Sequence, residues 1–169
     1  VVIPCRDIQT ALKSSVGVLS TGIGVRSLAI LNAGIAGRLG HVPQGALLVI
    51  AVSGRINGVE RRVDEIIRIC RQEGGTNLDT LNKESSDVLW HVIRDLELNK
   101  ISDAPQLVIA SHVGTSDIVP LWEAVETVAK YFSVDVEISY KASSAGGTMR
   151  SVWIMGESDV SPSFVTELV

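Results

Sequence analysis

A strong charge of either sign is missing from this chain. Over 169 residues, fifteen Lys and Arg stand against nineteen Asp and Glu, a formal net charge of −4. The basic excess with which proteins grip a phosphate backbone is therefore absent, and no nucleic-acid partner is expected. Cysteine is scarce as well. Cys5 and Cys70 are the only two, too few and too far apart for a disulfide scaffold or a zinc cluster; they suit a reduced, cytoplasmic setting, and both are expected simply to pack. Long apolar runs are lacking despite a mean hydropathy of +0.30. The longest, residues 46–52, falls far short of the roughly 20 residues a spanning helix needs, so no membrane span is expected. The first residues, Val-Val-Ile-Pro-Cys-Arg, have no basic start before an apolar run and no initiating Met, and the chain reads as an excised piece.

Familiar catalytic signatures are missing too. There is no P-loop and no Gly-x-Ser-x-Gly nucleophile elbow. His41, His91 and His112 have no acidic or histidine neighbour at ligand spacing, so no metal site is expected and each reads as a structural or surface histidine. The segment Gly22-Ile-Gly24 invites a dinucleotide reading, but it lacks the preceding strand, third glycine and following helix that a Rossmann loop needs, and reads as a helix-ending turn.

What is present is core-forming material: 46% of the residues are hydrophobic, enough for one compact domain or two fused half-sized ones. Asp7 can cap a helix running to about residue 20. Residues 27–31 form a short apolar run, and residues 32–39, interrupted by Gly34 and Gly37, are weak as helix or loop. Residues 46–52 read as a strand buried on both faces. The clearest helix follows, with Asn57 as its N-cap, Val59, Val63, Ile66, Ile67 and Cys70 at helical spacing, and charged residues opposite. A third helix, capped by Ser85, is buried through Leu89, Val92, Ile93 and Leu96. Residues 107–113 form a second apolar strand, and Ser116 opens a helix whose inner stripe is Ile118, Leu121, Trp122, Val125, Val128 and Phe132. Residues 134–140 alternate as a half-exposed strand, with residues 148–155 as hairpin partner. The order predicts an α+β domain of ferredoxin-like units: a largely antiparallel sheet with its helices packed on one face. The tail after Gly156 is expected to be mobile.

Two features carry possible binding chemistry. Trp90 and Arg94 share a helical stripe flanking the apolar face. The arginine's planar fork suits a carboxylate; alternatively its stem packs on the indole with the head in water. The hairpin loop from Lys141 to Arg150 combines two cations with glycines, Ser143 and Ser144, a composition that can hold an anion or simply turn the chain.

The order of these pieces resembles the C-terminal cap domain of FAD-linked oxidases, the group of glycolate oxidase subunits and D-lactate dehydrogenases. The resemblance rests on Gly22-Ile23-Gly24 with residues 27–31, on residues 47–52 leading into Val59-Glu-Arg-Arg-Val63, on Trp90 and Arg94, which are similar to the family's Trp-x-x-x-Arg, and on the helix and hairpin from Ser116 to Met155. It implies a cap over residues 1–157, a tail over 158–169, and a role in covering a small 2-hydroxy acid such as glycolate or lactate above the FAD of a separate N-terminal domain. FAD would be bound mainly by that domain, so this piece alone should neither hold flavin tightly nor turn over. The implied partners are a small carboxylate substrate, the FAD-binding domain, and oxidase subunits or a second copy. By carry-over Arg94 faces the substrate, joined as a substrate-binding candidate by Lys141, Ser143 and Arg150. The family's closing hairpin commonly reads Gly-His-x-Gly-Asp-Gly-Asn, whereas residues 140–150 here hold no histidine, which brings the chain closer to an accessory subunit. A different class also fits the elements: a ligand-binding or subunit-interaction module of ferredoxin-like architecture.

Overall fold

The computed structural model describes residues 1–41, 45–76, 78–98, 105–143 and 146–154. Eleven elements follow one another: β1 (Val2–Cys5), α1 (Ile8–Ser20), β2 (Val25–Asn32), α2 (Ala33–Arg38), β3 (Ala46–Val52), α3 (Ile56–Gln72), α4 (Lys83–Leu98), β4 (Gln106–Val113), α5 (Ile118–Phe132), β5 (Asp135–Ser143) and β6 (Gly146–Ile154). The six strands form one sheet in the order β1-β3-β2-β5-β6-β4, and every pairing is antiparallel. The α+β class and antiparallel sheet are as expected.

The order hides a repeat. β1, α1, β2 and β3 form a strand-helix-strand-strand unit with sheet order β1-β3-β2, and β4, α5, β5 and β6 form a second with the mirrored order β5-β6-β4. The units join where β2 meets β5, with Ile30 opposite Tyr140. These are the ferredoxin-like units, two strands fuller than the sequence suggested: β1 is new, and β2 takes up the short apolar run of residues 27–31. β1 was not anticipated because it is four residues long and carries Pro4; an edge position tolerates a residue with no N–H to give.

Local chemistry sets the element ends. The Asp7 carboxylate accepts from the Thr10 N–H at 2.7 Å and caps α1. Asn32 works twice: its Oδ1 accepts from the Ile35 N–H at 3.2 Å, capping α2, and its Nδ2 donates to the Val136 carbonyl at 2.8 Å, tying β2 to β5. That cap turns the weak 32–39 segment into a short helix. α3 begins at Ile56 after Arg55 with no side-chain cap, so Asn57 lies inside it, and its buried stripe is Ile66, Ile69 and Cys70. Ile69 takes the place expected of Ile67, the two lying on opposite flanks of the line from Ile66 to Cys70. Asn82 rather than Ser85 caps α4, because that helix starts at Lys83 and the Ser85 N–H is one of its orphan donors; Asn82 Oδ1 accepts it at 2.9 Å.

Burial divides between two faces. On one, α1, α3 and α5 cover Ile3, Leu28, Ile30, Leu48, Ile50, Ile138 and Tyr140. On the other, α2 and α4 cover Val2, Ala29, Leu31, Leu47 and Val49 through Ile35, Ala36, Leu89 and Ile93. The helices expected on one face thus include three that lie there, while the two remaining ones close the opposite side of the first unit. This second layer also corrects the half-exposed reading of residues 134–140: Glu137 and Ser139 are each only 4% exposed, because β2 pairs alongside β5 and Arg38 of α2 forms an ion pair with Glu137. Val92 turns outward, 37% exposed. The expected tail lies outside the described residues.

Candidate functional site

α4 covers only part of its face, and a cleft opens where its outer stripe overhangs the junction of the two units. One residue row makes the reason visible. Across the sheet, Val2, Val49, Ala29, Lys141, Thr148 and His112 are successive partners. The first three are buried beneath the helices, the last three exposed. The face is therefore apolar under the helices and polar beyond them, and the boundary falls at Lys141.

At that boundary lies a cleft of about 380 Å³, floored by Ser27, Leu28, Ala51, Lys141 and Ala142 and walled by Asp87, Trp90, Ile93 and Arg94 of α4, with Arg26 at its end. The spacing of Asp87, Trp90 and Arg94 places them along one helical stripe. Arg26 arrives through a β-bulge: the register steps from Val25 opposite Val52 to Ser27 opposite Ala51, so one extra residue of β2 is left over and its side chain is re-aimed.

Three cations, Arg26, Arg94 and Lys141, thus face one carboxylate, Asp87. Arg26 Nη1 lies 3.9 Å from Asp87 Oδ1, with both side chains more than half exposed. Arg94 is oriented by its own helix: its Nη2 lies 2.5 Å from His91 Nδ1 and its Nε 3.8 Å from Asp95 Oδ1, while His91 Nε2 lies 3.3 Å from Asp95 Oδ2. The Nε2–H tautomer of His91 satisfies both contacts. A guanidinium fork and an ammonium across a small basic opening, with Trp90 and Ile93 as apolar walls, are the groups that recognise a carboxylate on a short carbon body.

Of the residues singled out in the sequence, Arg94, Trp90 and Lys141 are brought together here. Lys141 and Arg150 lie on β5 and β6 rather than in a loop, since the strands continue to Ser143 and from Gly146. Arg150, half-buried and opposite Ser139 and Ala110, is on the same sheet face outside the cleft lining. Ser143 stands opposite Gly146 at the end of β5; its side chain lies outside the described part. Asp87 was not singled out, although its helical spacing to Trp90 and Arg94 is a signal that could have found it. Arg26 was not, because a bulge has no sequence signature here beyond an arginine entering an apolar run.

The cleft offers recognition rather than covalent chemistry. Among the described residues no group of His, Cys, Asp and Glu is arranged to hold a metal. Burial pushes the Cys5 thiol up to about 12 and the Cys70 thiol up to about 11, so both are neutral and unreactive. Nor do Gly22 and Gly24 make a pyrophosphate cradle. Gly22 and Gly24 lie in the turn from α1 into β2, helix to strand, the reverse of a phosphate-binding turn, which feeds a strand into a helix N-terminus. No described helix is long and apolar enough to cross a membrane.

No protein-family model and no curated protein matches the chain. Solved structures do. Two structures of alkyldihydroxyacetonephosphate synthase superpose with TM-scores of 0.67 and 0.66, at 11% and 12% identity over 98% and 99% of this chain. 4-Ethylphenol oxidase from Gulosibacter chungangensis, in an isoeugenol complex, superposes with a TM-score of 0.59 at 10% identity over 90% of it. The likeness is one of fold. The chain spans 37–38% of the length of these proteins, so its fold occurs as one part of larger enzymes.

Proposed function

We propose that this chain is the substrate-covering cap of an FAD-dependent oxidoreductase acting on a small 2-hydroxy acid such as glycolate or lactate, with FAD held by a separate domain. The observation that carries the reading is the meeting of Arg94 and Lys141, far apart in sequence, in one basic cleft with apolar walls. A further point supports it: the fold recurs as a little over a third of an enzyme whose name is that of an oxidase. When bound, FAD supplies the acceptor for the hydride leaving the hydroxyl-bearing carbon.

The residues of this chain bind and orient. Arg94, held by His91 and Asp95, presents its fork to the substrate carboxylate, and Lys141 adds a second positive charge from the sheet floor. Trp90 and Ile93 keep water from the carbon body, which strengthens both electrostatic contacts. No proton transfer is assigned to this chain. The test is the flavin absorbance of the full-length protein, which glycolate or lactate should bleach anaerobically; a full-length protein that binds no flavin refutes the reading.

A further inference from the structure

We propose that the Arg26–Asp87 ion pair is a partition that sets how long a ligand the basic cleft accepts; this rests on the reading of that cleft as a carboxylate site. A second cleft, of about 410 Å³, lies where the end of β3 meets the first turns of α3 and α4, with Val52, Val59, Val63 and Leu81 among its walls. The two clefts share Arg26, Ala51 and Asp87. Behind the cationic end at Arg94 and Lys141 there is therefore further room, its walls mixed: the apolar side chains stand beside Ser53, Thr80, Asn82, Lys83 and Ser86, and the charged lining residues common to both spaces are the two members of this pair.

A carboxylate seated at Arg94 directs its carbon chain along the cleft. A short acid ends before the partition. A longer one has to pass between Arg26 and Asp87, stripping water from both charges and separating them while offering neither a partner. Methylenes beyond that point gain little, although the second cleft could bury them. The bulge that re-aims Arg26 and the helical stripe that carries Asp87 thus act as a length filter: they admit small acids and turn away fatty ones. Neither residue touches the carboxylate in this scheme, so the pair governs specificity and not anchoring.

The experiment measures, by titration calorimetry at fixed pH and salt, the affinity of this chain for butanoate, hexanoate and octanoate, in the wild type and in Asp87→Ala. Burying a methylene is worth about fourfold in affinity, so unobstructed entry gives about 200-fold from butanoate to octanoate. The wild type is expected to gain less than about tenfold over that range, and Asp87→Ala to approach the full value. The slope with chain length is the readout, because loss of the acidic neighbour strengthens binding of every anion. Arg26→Met, which breaks the pair from the other side, should steepen the slope while weakening all three acids. Circular dichroism spectra matching the wild type establish that both variants are folded. Butanoate binding with the same slope in all three proteins overturns the partition alone; no binding of butanoate by the wild type overturns the carboxylate cleft and the partition with it.

Discussion

Replacing Arg38 by alanine isolates the ion pair that joins α2 to the junction of the two units. Glu137 is almost fully buried, its side chain 5% exposed, while that of Arg38 is 43% exposed. One oxygen, Oε1, accepts from Arg38 Nε; Oε2 has no hydrogen-bond partner among the described residues. Removing the arginine therefore leaves a buried carboxylate with nothing to balance it. Breaking a fully buried pair from one side costs about 3–5 kcal/mol, and since water already shares the guanidinium here we expect about 2–3 kcal/mol. For a chain of this size that lowers Tm by about 4–12 °C, a large part of a total stability of about 5–15 kcal/mol. Thermal denaturation followed by circular dichroism measures it, with Glu137→Gln and the double variant completing a cycle. The double variant should recover part of the loss, because a neutral amide leaves no buried charge behind. An Arg38→Ala protein within about 0.5 kcal/mol of the wild type, or a double variant no more stable than Arg38→Ala, refutes the reasoning.

Other outcomes follow from the same structure. In the full-length protein, Arg94→Ala should raise KM for glycolate or lactate about tenfold, the low end for a charge-assisted hydrogen bond on a half-exposed group; an unchanged KM with a lower Tm assigns Arg94 to packing on Trp90. Gly147→Ala would set a methyl 2.2 Å from the Lys141 carbonyl oxygen and 2.6 Å from the Tyr140 ring. The paired backbone of β5 cannot withdraw, so a loss of about 1–3 kcal/mol in urea unfolding is expected. Cys5 and Cys70 should resist a thiolate-specific reagent at pH 8 in the folded protein and react once it is unfolded. Their folded pKa values, about 12 and about 11, lie above the ordinary value of 9.0. The unfolded chain thus loses these protons first, and stability should fall as pH rises from about 9 towards 11. A folded protein that reacts fully at pH 8 contradicts the burial.

Helical stripes, glycine breaks and the apolar run of residues 46–52 made most elements legible, because periodicity is local information. The same locality explains the misses. β1 is too short to show a period, and its strand character comes from pairing with β3. The burial of Glu137 and Ser139 comes from β2 and α2, about a hundred residues away in sequence. Of the candidate site, the helical stripe supplied Trp90 and Arg94 from sequence alone, while Asp87, on the same stripe, was passed over. Arg26 needed the bulge, and the meeting of Lys141 with Arg94 needed the fold.

By itself, then, the order of residues determined an α+β chain with an antiparallel sheet, no metal-ligand spacing and an arginine beside a tryptophan on one helix. Only the tertiary structure decided that two strand-helix-strand-strand units join along β2 and β5, that helices close both faces of the first unit, and that the boundary between covered and open sheet falls at Lys141. The physical reason is range. Period and capping are set within a turn or two of chain, whereas strand order, bulge register and the company a side chain keeps are set by which surfaces exclude water together.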